Sequence, residues 1–348
     1  MRVVVTGASG NVGTSVLQAL ARDELVQSVT GVARRRPAAA FPKTTWVEAD
    51  VARDDLDPHL RGADAVVHLA WLIQPSRDEA KLRAANVEGS ARVFEATARA
   101  GVSRLVYASS VGAYSPGPKD RAVDESWPTE GIASSYYARH KAEVERILDR
   151  FEERHPDVRV VRLRPGLIFK REAASEIRRL FAGPLLPGFL IRPALIPIVP
   201  DAPRLRFQAL HSYDVGEAYR LALTRDVQGP FNVAAEPVLD PQVLGRLLHA
   251  RPVPVPARVL RAAAAVTWRL RLQPAPEGWV DMALAVPIMD TSRARRELGW
   301  TPRFTSEQAL LDLLAGLRRG AGAGTPPLDP DAGGPARAKE FATGIGAR

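Results

Sequence analysis

The sequence predicts a doubly wound α/β fold, a parallel sheet covered by helices on both faces, with a smaller, discontinuous lobe built from the C-terminal half. Three observations predict it. Short β-branched runs alternate with longer amphipathic stretches through the first half of the 348 residues. The runs are continuously apolar, as strands buried on both faces are. The first run leads straight into a glycine cluster that opens a helix, the arrangement of a nucleotide-binding turn.

Taken in order, Val3–Val5, Val29–Val32, Thr45–Val47, Ala65–Leu69, Arg104–Ala108 and Val158–Leu163 read as strands. Between them Val12–Arg22, Arg77–Ala100 and Ser135–Arg154 read as helices. After Pro165 the regularity fades. Proline-rich stretches, Pro184–Pro203 and Pro252–Pro256, interrupt short helical pieces, and Phe231–Ala234 is a candidate last strand. The expected division is a nucleotide-binding domain over residues 1–165 with a return near 205–235, and a substrate-binding lobe from 166–204 and 236–318. Residues 319–348 open on Gly320-Ala321-Gly322-Ala323-Gly324 and bury too little apolar surface to offset ordering, so a disordered tail is expected.

Composition excludes several chemistries. There is no cysteine, which rules out disulfides, thiolate metal sites and cysteine nucleophiles; no metal is expected. The formal charge is +9, yet only six of the 48 basic residues are lysine and the arginines are scattered, so no nucleic-acid partner is expected. The apolar stretch Leu180–Pro200 holds Pro184, Pro187, Pro193, Pro197 and Pro200 plus Arg192, which would break a spanning helix repeatedly. It reads as a substrate-facing or lid segment. With no secretory pattern at Met1–Val5, a cytoplasmic protein with a small-molecule substrate and no membrane partner is expected.

At the cofactor end, Thr6-Gly7-Ala8-Ser9-Gly10-Asn11-Val12-Gly13 lies between first strand and first helix. Glycines there permit the tight turn, backbone approach to a pyrophosphate and helix–strand packing, and the helix N-terminus offers free N–H groups to phosphate. The second strand ends on Ala33-Arg34-Arg35-Arg36, where an acidic residue would favour NAD. Arg34 and Arg35 can pair with a 2′-phosphate, so NADP is expected over NAD. Asp50 and Val51, after the third strand, are candidates for adenine contact.

At the reactive end, Tyr137 and Lys141 are four apart on a predicted helix and share a face. A free tyrosine titrates near 10; a neighbouring ammonium favours the phenolate and lowers that value. Tyr136 is the rival, but His140 lies four residues on from it. The strand Arg104–Ala108 ends in Ser109 and Ser110, and Ser110 can donate to a substrate oxygen on which charge develops.

Together these motifs resemble the extended short-chain dehydrogenase/reductases of the NAD-dependent epimerase/dehydratase family. The resemblance rests on the glycine motif, His68-Leu69-Ala70, Asn86-Val87-Glu88-Gly89, Ser109-Ser110 with Tyr114, Tyr137 with Lys141, and Arg164-Pro165-Gly166. It continues through His211 to Asp214-Val215, Phe231-Asn232-Val233 and Glu297-Leu298-Gly299-Trp300, reaching about residue 315. It implies a Rossmann domain, with Tyr137 as acid/base, Lys141 on the nicotinamide ribose and Ser110 on the substrate oxygen. It also implies a cofactor surface that includes Gly7, Ser9, Gly10, Asn11, Val12, Gly13, Leu69, Ala70, Trp71, Asn86, Arg164 and Pro165. A homodimer is compatible with it.

Departures from the family pattern narrow the chemistry. Sugar dehydratases carry Asp-Glu just after the catalytic hydroxyl, where this chain has Val111-Gly112. The arginine that nucleotide-sugar epimerases place four residues before the matched histidine is Phe207 here, beside Arg206, and Glu277–Met289 holds no evident second one. His211 reads as a hydrogen-bonded residue at a strand end. Trp71-Leu72-Ile73 and the apolar Leu185–Ile198 lean toward a less polar substrate. The expected activity is hydride transfer between nicotinamide and a carbinol or carbonyl carbon of a small sugar-like or hydroxylated molecule. A nucleotide-sugar 4-epimerase, a steroid-like hydroxyl dehydrogenase or ketone reductase, and a non-catalytic NADP-sensing protein remain alternatives.

Overall fold

The structure is a computed structural model and describes residues 1–183 and 197–332. Seven strands make the central sheet: β1 (Arg2–Thr6), β2 (Ser28–Ala33), β3 (Thr44–Glu48), β4 (Ala65–His68), β5 (Arg104–Ala108), β6 (Arg159–Pro165) and β7 (Gly229–Val233). They lie in the order β7-β6-β5-β4-β1-β2-β3, and each neighbouring pair is parallel. The order reverses at β1, so a crevice opens beyond the carboxyl ends of β1 and β4.

Period-two alternation divides the sheet between two cores. Val3, Val5, Val67 and Val106 face a layer that includes α1 (Asn11–Ala21) and, across the crevice side, Ala218, Tyr219 and Ala222. Val4, Val66 and Leu105 face the other layer, with Val93, Phe94, Val144, Leu148 and Phe151. That layer is α2 (Gly89–Arg99) and α3 (Tyr136–Arg154). Both faces are therefore dry, which explains why the strands are apolar without alternation; each fully buried valine or leucine contributes about 1.5–3 kcal/mol.

The stretch expected as one helix over Arg77–Ala100 is three pieces. Glu79–Arg83 runs into a wide, five-residue-spaced turn at Ala84–Glu88 before α2 begins. Such a bulge re-aims side chains at functional positions. Here it carries Asn86, whose amide is spent on the loop after β4.

The return to the sheet runs through Ala209–His211 and helix α4 (Ser212–Thr224) into β7. Outside the sheet, short parallel pairs tie the second lobe together: Leu167–Phe169 with Ala209–His211, Ile198–Asp201 with Arg251–Pro254, and Ala122–Val123 with Ile288–Met289. Its longer helices are α5 (Ala257–Arg269), α6 (Gly278–Ala285) and α7 (Ser306–Arg319). Most of the apolar lid segment, residues 184–196, lies outside the described residues.

Residues 320–332 depart from the expected disordered tail. Leu328 and Thr325 are fully buried, Thr325 Oγ1 donates to the Ser9 carbonyl at 2.7 Å, and the Ala39 N–H donates to Gly324. Arg179 supplies donors to the Pro327 and Asp329 carbonyls. Two side chains with buried seats and a guanidinium that satisfies main-chain carbonyls supply what the glycine-rich composition lacks. Residues 333–348 lie outside the described residues. Among the described residues no helix is long and apolar enough to cross a membrane.

Candidate active site

The glycine loop has the geometry its sequence implies. Gly7 adopts φ +69°, and a Cβ there would sit 2.6 Å from the Ala70 nitrogen; one on Gly13 would sit 2.4 Å from the Gly7 oxygen. Only glycine fits at either place. At Gly10 the nearest atom to an added Cβ is 3.6 Å away, so the missing side chain leaves approach space. Helix α1 has no side-chain cap, and the buried Asn11 Oδ1 has no hydrogen-bond partner. Open backbone and an uncapped positive helix end fit a dinucleotide pyrophosphate.

The loop after β4 is fastened from behind. Asn86 accepts from the Leu72 N–H at 2.6 Å and donates to the Leu72 carbonyl at 2.7 Å. Thr6 Oγ1 and His68 Nδ1 are 2.7 Å apart, and His68 Nε2 is 2.9 Å from Ser90 Oγ. Burial holds His68 down to about 3, so it is a neutral tether. Leu69, Ala70 and Trp71 are thereby fixed at the crevice edge.

Ser135 opens α3 with its side chain on the Ala138 N–H, which sets Tyr137 in the first turn and Lys141 one turn on. Ser110 ends the β5 segment; its Oγ accepts from the Gly112 N–H at 3.0 Å, and its hydroxyl is near enough to Tyr137 to act on it. The Lys141 Nζ donates to the Ala108 carbonyl at 2.6 Å and lies 3.4 Å from the centroid of the Trp71 ring. Thus Ser110, Tyr137 and Lys141 converge at one sheet edge. Tyr136, the rival, is buried and spends its hydroxyl on the Ile73 carbonyl at 2.7 Å.

The electrostatics differ from the sequence argument in one respect. Lys141 was expected to lower Tyr137. Here its Nζ lies 5.9 Å from the Tyr137 ring, and burial dominates both groups, raising Tyr137 and pushing Lys141 well down. The nearby Ser110 hydroxyl is what opposes the rise in Tyr137.

Behind this group lies a buried ionic cluster that sequence reading missed. Glu145, one turn beyond Lys141, is fully buried. It accepts from Ser109 at 2.5 Å, Arg162 at 2.9 Å, and Arg164 at 2.9 and 3.0 Å. Burial raises a carboxyl, but the two guanidiniums and Ser109 outweigh it and hold Glu145 at about 2. Arg164 also donates to Tyr114 and the Glu125 carbonyl, so its guanidinium braces the sheet. Its charged partner Glu145 captures it. The continued four-residue spacing Tyr137–Lys141–Glu145 is the signal that would have found the cluster.

The other missed residues come from the second lobe. Trp279 packs on Tyr137 with ring centroids 4.9 Å apart, Phe181 sits edge-on to Trp279 at 4.9 Å, and Trp71 is edge-on to Tyr137 at 5.8 Å. Met282 lies over Gly112, with its Sδ 3.0 Å from where a Cβ would be. No local motif marks these side chains. The remaining expected contacts are at the crevice rim: Arg34 and Arg35 are exposed after β2, and Asp50 pairs with Arg53 at 3.2 Å beside the buried Val51. His211 bridges toward Asp312 at 3.4 Å and stacks on Phe304 at 4.2 Å, a structural seat.

Comparison with known proteins agrees with this arrangement. The chain is 27% identical over 327 residues to an uncharacterized protein of Mycobacterium tuberculosis, 93% of this chain but only 31% of that protein's length. It is 27% identical to a 4-hydroxy-2-methyl-3-oxo-4-farnesyl-3,4-dihydroquinoline-1-oxide ketoreductase of Stigmatella aurantiaca, covering 93% of this chain and 98% of the relative. It is 26% identical to a 3-beta-hydroxysteroid dehydrogenase of Mycolicibacterium neoaurum, with 90% of each covered. Among solved structures, MoeE5 in complex with UDP-glucuronic acid and NAD superposes with TM-score 0.68 at 21% identity over 92% of this chain and 99% of the other. The UDP-glucose 4-epimerase of Thermus thermophilus in complex with NAD does so with TM-score 0.66 at 20% identity, over 91% and 99%. The model of the NAD dependent epimerase/dehydratase family matches residues 3–234, and the chain belongs to that family.

Proposed function

We propose that the protein is an NAD(P)-dependent hydroxyl dehydrogenase or ketone reductase acting on an apolar, ring-bearing alcohol or ketone. The observation that carries this reading is the wall around the reacting hydroxyl: Trp71, Trp279 and Phe181 form a contiguous aromatic surface with Tyr137. Such a wall binds an apolar ring by burial and offers no carboxylate or guanidinium to a diphosphate. The two relatives named for reduction or oxidation of prenylated and steroid substrates point the same way.

When bound, the dinucleotide supplies or accepts the hydride at the substrate carbon. Tyr137 gives a proton to the carbonyl oxygen in reduction, or takes it from the hydroxyl in oxidation. Ser110 holds the same oxygen through its hydroxyl and stabilises charge that develops there. Lys141, kept by Ala108 and Trp71, adds positive potential beside Tyr137 and a donor toward the nicotinamide ribose. Val111 and Gly112 stand where an acid would be needed to expel water, so dehydration is not part of the activity.

We read Arg34 and Arg35 as a 2′-phosphate site, hence a preference for NADP; both are exposed at the end of β2, with the guanidiniums of a basic run and no carboxylate among residues 31–47. The test is NADPH consumption against a panel of cyclic and prenylated ketones, alongside UDP-glucose epimerisation. Turnover of apolar ketones that Tyr137→Phe abolishes supports the proposal. Stoichiometric resident NAD(H) with UDP-glucose turnover would replace it with the 4-epimerase reading.

A further inference from the structure

Helix α5 turns the wrong face outward for a helix in water. Its inward stripe is Leu260, Ala264, Ala265 and Trp268, while Val259, Ala262, Ala263 and Val266 point away from the protein at i, i+3, i+4 and i+7, and Leu270 continues the line at i+11. Val259 is 49% exposed, Val266 51%, Leu270 64% and Leu272 44%. Four of the eight large apolar side chains exposed among the described residues therefore fall within residues 259–272. Clustered exposure of this kind marks an interaction surface.

Its charge identifies the partner. From Pro241 to Pro276 the chain carries six arginines and neither Asp nor Glu. Arg261 pairs with Asp281 at 3.0 Å, while Arg258, Arg269 and Arg271 rim the apolar stripe with no carboxylate partner among the described residues. We propose that α5 and the turn after it dock the protein on an anionic lipid surface, the aliphatic stripe entering the headgroup–acyl boundary and the arginines meeting the headgroup phosphates. Thirteen residues are too few to span a bilayer, which takes roughly 20, so the helix lies along the surface. A two-fold contact with a second copy would press the same unpaired arginines against each other. A nucleic acid would meet a rim of charge but no aromatic stacking platform, only valine, alanine and leucine.

The surface is wired to the active-site wall. Arg77 lies over the Trp268 ring at 4.3 Å, Trp268 Nε1 donates to Ser76 Oγ at 3.3 Å, and Ser76 donates to the Pro274 carbonyl at 2.6 Å. Ser76 belongs to the loop that begins at Trp71, and α6, which follows Pro276, brings Trp279 onto Tyr137. The docked helix thus places the aromatic wall beside the lipid. The docking itself does not depend on the substrate proposed above.

The experiment is co-sedimentation of the full chain with phosphatidylcholine vesicles, with and without phosphatidylglycerol, at low and high salt. The expected result is binding to the anionic vesicles that salt weakens, and that Val266→Asp with Leu270→Asp reduces on the order of tenfold or more. Arg258→Glu with Arg269→Glu, which touches no apolar side chain, gives the same loss on anionic vesicles. Circular dichroism and NADPH binding identify variants that remain folded. Wild-type protein left in the supernatant, or variants that bind as well as wild type, overturns the proposal. So does a wild-type dimer, measured by light scattering, that Val266→Asp with Leu270→Asp converts to monomers.

Discussion

The Lys141 ammonium lies 3.4 Å from the centroid of the Trp71 ring and is held there by the Ala108 carbonyl at 2.6 Å. The attraction of a cation to an aromatic face, about 2 kcal/mol in a dry site, favours the charged amine against the burial that pushes Lys141 down. Trp71 also meets Tyr137 edge-on at 5.8 Å, so one side chain touches both Tyr137 and Lys141. Trp71→Leu should lower kcat/KM by about tenfold or more, since 1.4 kcal/mol is a factor of ten. The steady-state pH profile is the check, because loss of the cation's seat also moves its basic limb. An unchanged profile would reduce Trp71 to a wall residue.

The proposed function divides the work on the substrate oxygen between Tyr137 and Ser110. Tyr137→Phe removes the proton and should cut kcat by about 10²–10⁴, while Ser110→Ala removes one donor and should cost about 10²-fold. Neither touches the glycine loop, so the dissociation constant for NADPH, read by protein fluorescence, should stay within about twofold of wild type. Loss of cofactor binding in both variants would mean that the pair serves the dinucleotide and not the reaction.

Glu145 is the keystone of the cluster beneath the site, sharing its carboxylate among Arg162, Arg164 and Ser109. Glu145→Gln leaves the buried Arg164 guanidinium without its carboxylate, while Arg162 keeps Asp149 and Glu152, and should cost about 3–5 kcal/mol in urea unfolding. The carboxyl falls from its ordinary 4.5 to about 2 in the fold, so the stability it adds is full above pH 4.5 and drains away as pH drops toward 2. The variant should lack that acid limb.

Legibility followed periodicity and chain-local motifs. The central strands and α1 were readable because strands buried on both faces need unbroken apolar runs, and because Gly7 and Gly13 occupy positions no other residue can fill. Tyr137, Lys141 and Ser110 were readable because a four-residue spacing and a strand end place them together. Trp279, Phe181 and Met282 were not, since they reach the site through tertiary packing from distant parts of the chain and carry no spacing signal. Residues 320–332 failed for a related reason: Thr325 and Leu328 find partners, Ser9 among them, that composition does not count.

Glu176 should contribute, with Lys170 beside it, to the pH response of dinucleotide binding. Its carboxyl lies near Asn11, at the N-terminal end of α1. Burial raises it from 4.5 to about 7, against the opposing pull of Arg179 and Lys170. The group is therefore mostly neutral below pH 7 and ionised above it, where it repels a phosphate anion. NADPH affinity should fall as pH rises from 6 to 8, by roughly three- to tenfold, and Glu176→Gln should bind as the neutral form does across that range. Calorimetric titration at three pH values decides it; equal slopes for the two proteins would remove Glu176 from the cofactor site.

Trp279 offers the sharpest separation of binding from chemistry. Its ring lies 4.9 Å from that of Tyr137, yet it comes from α6 and its indole nitrogen has no hydrogen-bond partner. It thus contributes area without moving a proton. Trp279→Ala removes the centre of the aromatic wall and exposes Phe181, so an apolar substrate loses burial worth about 2–3 kcal/mol. KM for such a substrate should rise on the order of thirtyfold, with kcat changed less than about threefold. A small polar ketone that never reaches the wall should show almost no change in KM. If both substrates suffer alike, chiefly in kcat, then Trp279 acts by orienting Tyr137 and the wall is part of the catalytic geometry.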